Sequence, residues 1–212
     1  MDLKTRIRRR QRSGAKSPVV RDYEAISPAA HVEEPPGRGP ALEQLLDYLD
    51  PVFEGRLPTD TYVWGPAGSG KSAIITALVS HMSRLLSGSA TVIHTSTRAQ
   101  SADTPAFVYV DARHSDSAFG LYHAVLDGLV NESVPRHGVG TETIRDRLVE
   151  HLQPIKRRAV VVVDHVNEPE GIDLATMAET FSVVEDSLAC IAVGRDHPDD
   201  LGADLLPPGR IE

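Results

Sequence analysis

Residues 65–72, GPAGSGKS, restrict the possible folds more than any other stretch of the chain. They match the pattern G-x-x-x-x-G-K-[ST] at every defined position. Their surroundings make the match specific. The apolar run TYVWG (61–65) stands directly before them, and Ile74, Ile75, Leu78, Val79, Met82 and Leu85 follow at helical spacing. The pattern predicts a short strand, a tight bend and a helix from about Lys71 to Leu86. Gly65, Gly68 and Gly70 let the bend, which also holds Pro66, Ala67 and Ser69, wrap tightly enough for successive N–H groups to converge on a β-phosphate. The helix that starts near Lys71 turns its positive end to the same charge. Lys71 is then placed to reach β- and γ-phosphate oxygens, and the Ser72 hydroxyl to ligand Mg²⁺. A glycine-rich turn that binds nothing is the alternative. It leaves unexplained why one of only four lysines stands at the required position.

The rest of the chain alternates between strand and helix patterns. AFVYVDA (106–112), AVVVVD (159–164) and SLACIAVG (187–194) read as strands. Helical spacing appears at Leu42, Leu45, Leu46, Leu49 and Phe53, again at 118–131 and 141–153, and at Leu174, Met177, Phe181 and Val184. This alternation predicts an α/β fold of P-loop NTPase type, with helices on both faces of a parallel sheet in three layers. The all-valine strand is apolar on both faces and belongs at the centre of that sheet. Residues 87–105 read as a loop, with room for a brief strand at Thr91–His94. Tyr62 and Trp64 are expected in the core rather than stacked on a base.

Asp164 ends the all-valine strand, where an acid can hold a metal through water opposite Ser72. Alone this is a weak signal, because many buried strands end in an acid. Paired with the glycine loop it completes a nucleotide site, with the divalent ion pinned from an adjoining central strand.

Composition bounds the surroundings. A single cysteine, Cys190, excludes an internal disulfide and fits a reducing compartment. No apolar run reaches the roughly 20 residues of a membrane-spanning helix, so a cytoplasmic protein without a membrane partner is expected. The nine histidines do not fall at metal-ligand spacing, which argues against a zinc site. Residues 1–21 carry eight Lys/Arg against one Asp, a net of +7; the remaining 14 basic and 29 acidic residues net −15. Residues 1–20 therefore read as a flexible basic arm, either a solubilising tail or a contact for DNA or RNA, ahead of one domain at 21–212.

Two stretches resemble a known family. RDYEAISPAAHVEEPPGRGPALEQLLDYLDPVFEGRLPTDTYVWGPAGSGKSAIITALV (21–79) is similar to the opening of archaeal origin-recognition-type replication initiators, which are AAA+ ATPases. FVYVDARHSDSAFGLYHAVLDGL (107–129) is similar to that family's second strand and the helix after it. The resemblance covers roughly residues 21–196. It implies an ATP and Mg²⁺ site built from Gly65 to Ser72 and Asp164, with the segment around Pro35, Pro36 and Arg38 packed over the adenine.

The sequence departs from the family in three places. The glutamate that normally follows the metal-binding aspartate and polarises water is replaced by His165. A neutral histidine accepts a proton in principle; the alternative is a site that binds nucleotide and hydrolyses it slowly. Glu168, beyond the expected strand end, is a poor substitute. Where the family commonly ends its fourth strand with a polar sensor of the γ-phosphate, AVGRDH offers Arg195, either a phosphate contact or a surface salt bridge. Finally, the chain stops at LLPPGRIE, about where a fifth strand should begin, without the family's helical lid and winged helix.

The leading expectation is a nucleotide-dependent switch with weak or absent hydrolysis, related to archaeal replication initiators, with DNA and other replication proteins as partners. The alternatives are a competent P-loop ATPase or GTPase in which His165, Glu168 or a partner residue orients water, and an accessory nucleic-acid binder that works through its arm.

Overall fold

The structure is a computed structural model that describes residues 39–88, 104–152, 157–169, 171–202 and 207–211. The basic arm, Pro35, Pro36, Arg38 and the brief strand expected at Thr91–His94 lie outside the described residues. In chain order the elements are α1 (Gly39–Phe53), β1 (Thr61–Val63), α2 (Lys71–Gly88), β2 (Ala106–Asp111), α3 (Ala118–Leu129), α4 (Thr141–His151), β3 (Ala159–Val166), α5 (Leu174–Phe181), β4 (Leu188–Gly194) and β5 (Gly209–Ile211). The strands form one parallel sheet in the order β2-β3-β4-β1-β5.

Alternation along β3 shows why the fold has three layers. Val160 and Val162 point to one face and meet Leu45, Leu49 and Val52 of α1 and Ile74, Ile75, Leu78, Val79 and Met82 of α2. Val161 and Val163 point to the other and meet Leu121, Val125 and Leu126 of α3, Ile144 and Leu148 of α4, and Leu174, Met177 and Phe181 of α5. All four valines are fully buried, as a central strand covered on both faces requires. Helix starts are fixed locally. Ser117 accepts from Gly120 N–H at the head of α3, and Asp173 accepts from Thr176 N–H at 2.8 Å at the head of α5. Cys190 is buried on β4, where desolvation pushes its thiol up, and it packs as a small apolar side chain.

Three expectations change. Phe53 is half exposed, and Val52 takes its place against the sheet: both are at helical spacing from Leu49, and the helix ends at Phe53. The fifth strand is present. Gly209–Ile211 pairs with Thr61–Val63, and Trp64 N–H adds a bond to Ile211 O. Its three residues are too few to show a period of two. Asp164 does not come from a strand adjoining β1, because β4 lies between β1 and β3.

That order positions the site. In a parallel sheet every carboxyl end opens on the same edge, and ligands bind there where the chain reverses direction across the sheet. From β1 the chain crosses to the far edge at β2, returns through β3 and β4, and then passes β1 to reach β5.

Candidate nucleotide site

The loop after β1 bends as its glycines predict. Gly65, Gly68 and Gly70 have φ of 147°, 76° and 91°, conformations that L side chains rarely adopt. The first turn of α2 directs N–H groups that have no partner inside the helix toward the same space. Lys71 folds back along this loop. Its Nζ donates to Gly65 O (2.6 Å), Pro66 O (3.0 Å) and Ser69 Oγ (3.3 Å). Burial lowers the Lys71 pKa; Asp164 and Glu168 oppose that shift, while Arg195 adds to it.

A cleft of about 290 Å³ opens at the carboxyl edge. Ala67, Gly68, Gly70, Lys71 and Ser72 line one side, Asp164, His165 and Glu168 the other, and Val193, Gly194 and Arg195 complete it from β4. Of the residues singled out from the sequence, Gly65, Pro66 and Ser69 instead line an adjacent, mainly apolar cavity of about 350 Å³, together with Lys71, Ala41, Val63, Ile74, Ile75 and Ile211.

Asp164 is almost completely buried and held on both oxygens. Oδ1 accepts from the backbone N–H of His165 at 2.8 Å, and Oδ2 accepts from the Tyr109 hydroxyl at 2.9 Å. Burial, then the neighbouring Asp164 charge, push the Tyr109 phenol above the ordinary tyrosine range, so it remains a donor. Tyr109 was not identified in the sequence. It lies on β2, whose register sets Asp111 beside Asp164. Burial opposes the Asp111 charge, but hydrogen bonds from Arg113 outweigh it and hold that carboxyl below its usual range.

The turn after Asp164 could not have been read from residue spacing. His165 and Asn167 have φ of 65° and 61°. Both are residue types that tolerate left-handed backbone better than most. Asn167 is fixed on every side: its N–H donates to Ile172 O (3.0 Å), Oδ1 accepts from Leu174 N–H (2.8 Å), and Nδ2 donates to Asp196 Oδ2 (3.2 Å). Gly171 is required where the turn closes, because a Cβ there would lie 2.6 Å from His165 O. The turn brings Glu168, which lies beyond the end of β3 as expected, back into the cleft. Glu168 Oε1 meets His165 Nδ1 at 2.9 Å and Arg195 Nε at 2.9 Å. Arg195 thus makes a salt bridge and also lines the cleft, its side chain half exposed.

The donor set is hard oxygen: the Ser72 hydroxyl and the Asp164 carboxylate. Among the described residues no group of three or more His, Cys, Asp or Glu could hold a metal ion by itself. A metal in this cleft would therefore complete its oxygen shell from phosphate and water, as Mg²⁺ does.

A family model described as AAA ATPase domain matches residues 34–191. Among curated proteins, ORC1-type DNA replication protein 1 of Sulfurisphaera tokodaii is 24% identical over 153 residues, 72% of this chain and 34% of that protein. The chain thus spans about a third of such relatives. Among solved structures, the Aeropyrum pernix ORC1 protein in complex with DNA superposes with a TM-score of 0.64 at 18% identity, over 84% of this chain and 44% of the other. The Aeropyrum pernix ORC2 protein, in ADPNP–ADP complexes, gives 0.58 at 16%, over 83% and 45%. Both likenesses concern the α/β fold.

Proposed function

The chain belongs to the AAA ATPase domain family, and from that premise we propose that it is an ATP-binding switch with slow hydrolysis. Its nucleotide-binding domain is residues 21–212, behind a basic arm at 1–20. The observation that carries this reading is the convergence of Lys71, Ser72 and Asp164 on one cleft, although more than ninety residues separate the loop from the aspartate. The loop N–H groups and the start of α2 supply an anion cradle for the phosphates. Lys71 exchanges its loop oxygens for β- and γ-phosphate oxygens. Ser72 and Asp164 would hold Mg²⁺, which would neutralise phosphate charge. The apolar cavity beside the loop takes the base. Arg195 contacts the γ-phosphate.

Slow turnover follows from the arrangement at His165. Nδ1 is engaged by Glu168, and Nε2 lies 3.7 Å from Asp164 Oδ2. With Nδ1 bonded to Glu168 and Nε2 beside Asp164, the ring is engaged in holding its neighbours.

A switch requires different contacts with ATP and ADP. Arg195 and the 165–172 turn are the elements that would distinguish them. Hydrogen exchange on the full chain with Mg²⁺ should show slower exchange in the 165–172 turn with ATPγS than with ADP. Identical protection by the two nucleotides would remove the switch.

The relatives are named as DNA replication proteins, and one structural neighbour is in complex with DNA. On that basis DNA and other replication proteins are the proposed partners, with the arm as the electrostatic contact. Affinity for duplex DNA should fall steeply with salt and drop when residues 1–20 are deleted. Binding that survives the deletion unchanged would rule out the arm.

A further inference from the structure

The glutamate missing after Asp164 has a substitute three residues later. We propose that Glu168 is the carboxylate that orients and deprotonates the hydrolytic water of this site, with His165 and Arg195 as the residues that hold it there. The inference rests on the ATP-site reading above.

Placement is the first argument. Glu168 follows the end of β3, yet its side chain is only 13% exposed and lines the same cleft as Lys71, Ser72 and Asp164. Burying a carboxylate is costly unless it is paired, and this one has two partners on a single oxygen. Oε1 takes both His165 Nδ1 and Arg195 Nε, each at 2.9 Å.

The construction of the turn is the second. Two non-glycine residues in left-handed backbone, a glycine with no room for a Cβ and an asparagine fixed by three hydrogen bonds all serve one short reversal. Strain of this kind persists only where the surroundings over-determine it, and it concentrates at working sites. Here its product is the return of one acid to the cleft.

Elimination is the third. Asp164 already accepts hydrogen bonds on both oxygens and is the carboxylate proposed to hold the metal. His165 has a carboxylate at each ring nitrogen. Among the described acids that line the cleft, Asp164 and Glu168, it is Glu168 that is left to act on water.

In the step itself the water oxygen bonds to the γ-phosphorus while the bond from that phosphorus to the β–γ bridging oxygen breaks. The bridging electron pair stays with ADP. The water proton passes to the Glu168 carboxylate and from there to solvent.

The test uses the full chain and three variants: Glu168→Gln, His165→Asn, which tolerates the left-handed backbone, and Lys71→Ala as the binding-deficient control. Mant-ATP affinity, single-turnover phosphate release and the melting shift with ADP plus aluminium fluoride are measured on each. Glu168→Gln should bind mant-ATP within about twofold of wild type yet release phosphate at least ~10-fold more slowly, toward the lower end of general-base effects. It should also lose the extra melting shift that aluminium fluoride gives over ADP alone, while His165→Asn retains part of both signals. Wild-type turnover in Glu168→Gln overturns the assignment, as does turnover lost only in His165→Asn. Wild type that binds mant-ATP but releases no phosphate above the Lys71→Ala background overturns it too. If wild type fails to bind mant-ATP, the ATP-site reading itself falls.

Discussion

Lys71→Ala should lower the affinity for ATP with Mg²⁺ by about 100-fold, because two charge-assisted hydrogen bonds worth roughly 1.5 kcal/mol each are lost and 1.4 kcal/mol is tenfold. The figure is held down by what Lys71 does without nucleotide. Its ammonium already has Gly65 O, Pro66 O and Ser69 Oγ as acceptors, so binding phosphate exchanges partners and does not satisfy a bare charge. Burial and Arg195 both work against the charged form, which raises the value of an incoming anion. Lys71→Arg should not rescue binding, since a planar fork does not fit a place made for a compact point charge. Calorimetric titration of both variants checks this; equal affinity in wild type and Lys71→Ala would remove the site.

Gly194→Ala should destabilise the fold by about 2 kcal/mol, the usual cost of overpacking a well-filled interior, and lower the melting temperature by roughly 4–8 °C for a domain of this size. A Cβ at Gly194 would stand 2.4 Å from the Tyr62 hydroxyl and about 3 Å from two ring carbons. Tyr62 has no room to withdraw: it is fully buried, and its hydroxyl donates to Asp196 O at 3.1 Å. Desolvation pushes that phenol up to about 12. Removing the hydroxyl takes away the nearest clash, so Tyr62→Phe with Gly194→Ala should cost less than the sum of the single changes. Denaturant unfolding of all four proteins measures that coupling. Strict additivity would mean that the strand relaxes elsewhere.

Much of this was legible because it is periodic or local. The glycine loop, the strand before it and the helix after it declare themselves within thirty residues, and the two-faced valine strand announces its central place. The unread parts depend on partners distant in sequence. Tyr109 reaches Asp164 only through the register of β2 on β3. Glu168 enters the cleft only because Asn167 finds Asp196 and His165 accepts a left-handed backbone. The interposition of β4 between the loop strand and the aspartate strand is a property of the crossovers, which leave no mark on residue spacing. Val52 displaced Phe53 because helical spacing cannot decide between adjacent residues at a helix end.

The left-handed conformation at position 165 also limits how this chain could drift in sequence. A single exchange to glutamate there would put on that backbone a residue that tolerates it less well than histidine does. It would also crowd a third negative group against Asp164 and Glu168. Position 165, position 168 and the glycine at 171 therefore form a mutational unit. A lineage could move from one arrangement of acids to the other only by changing them together, and intermediates with one alteration would be less stable than either end.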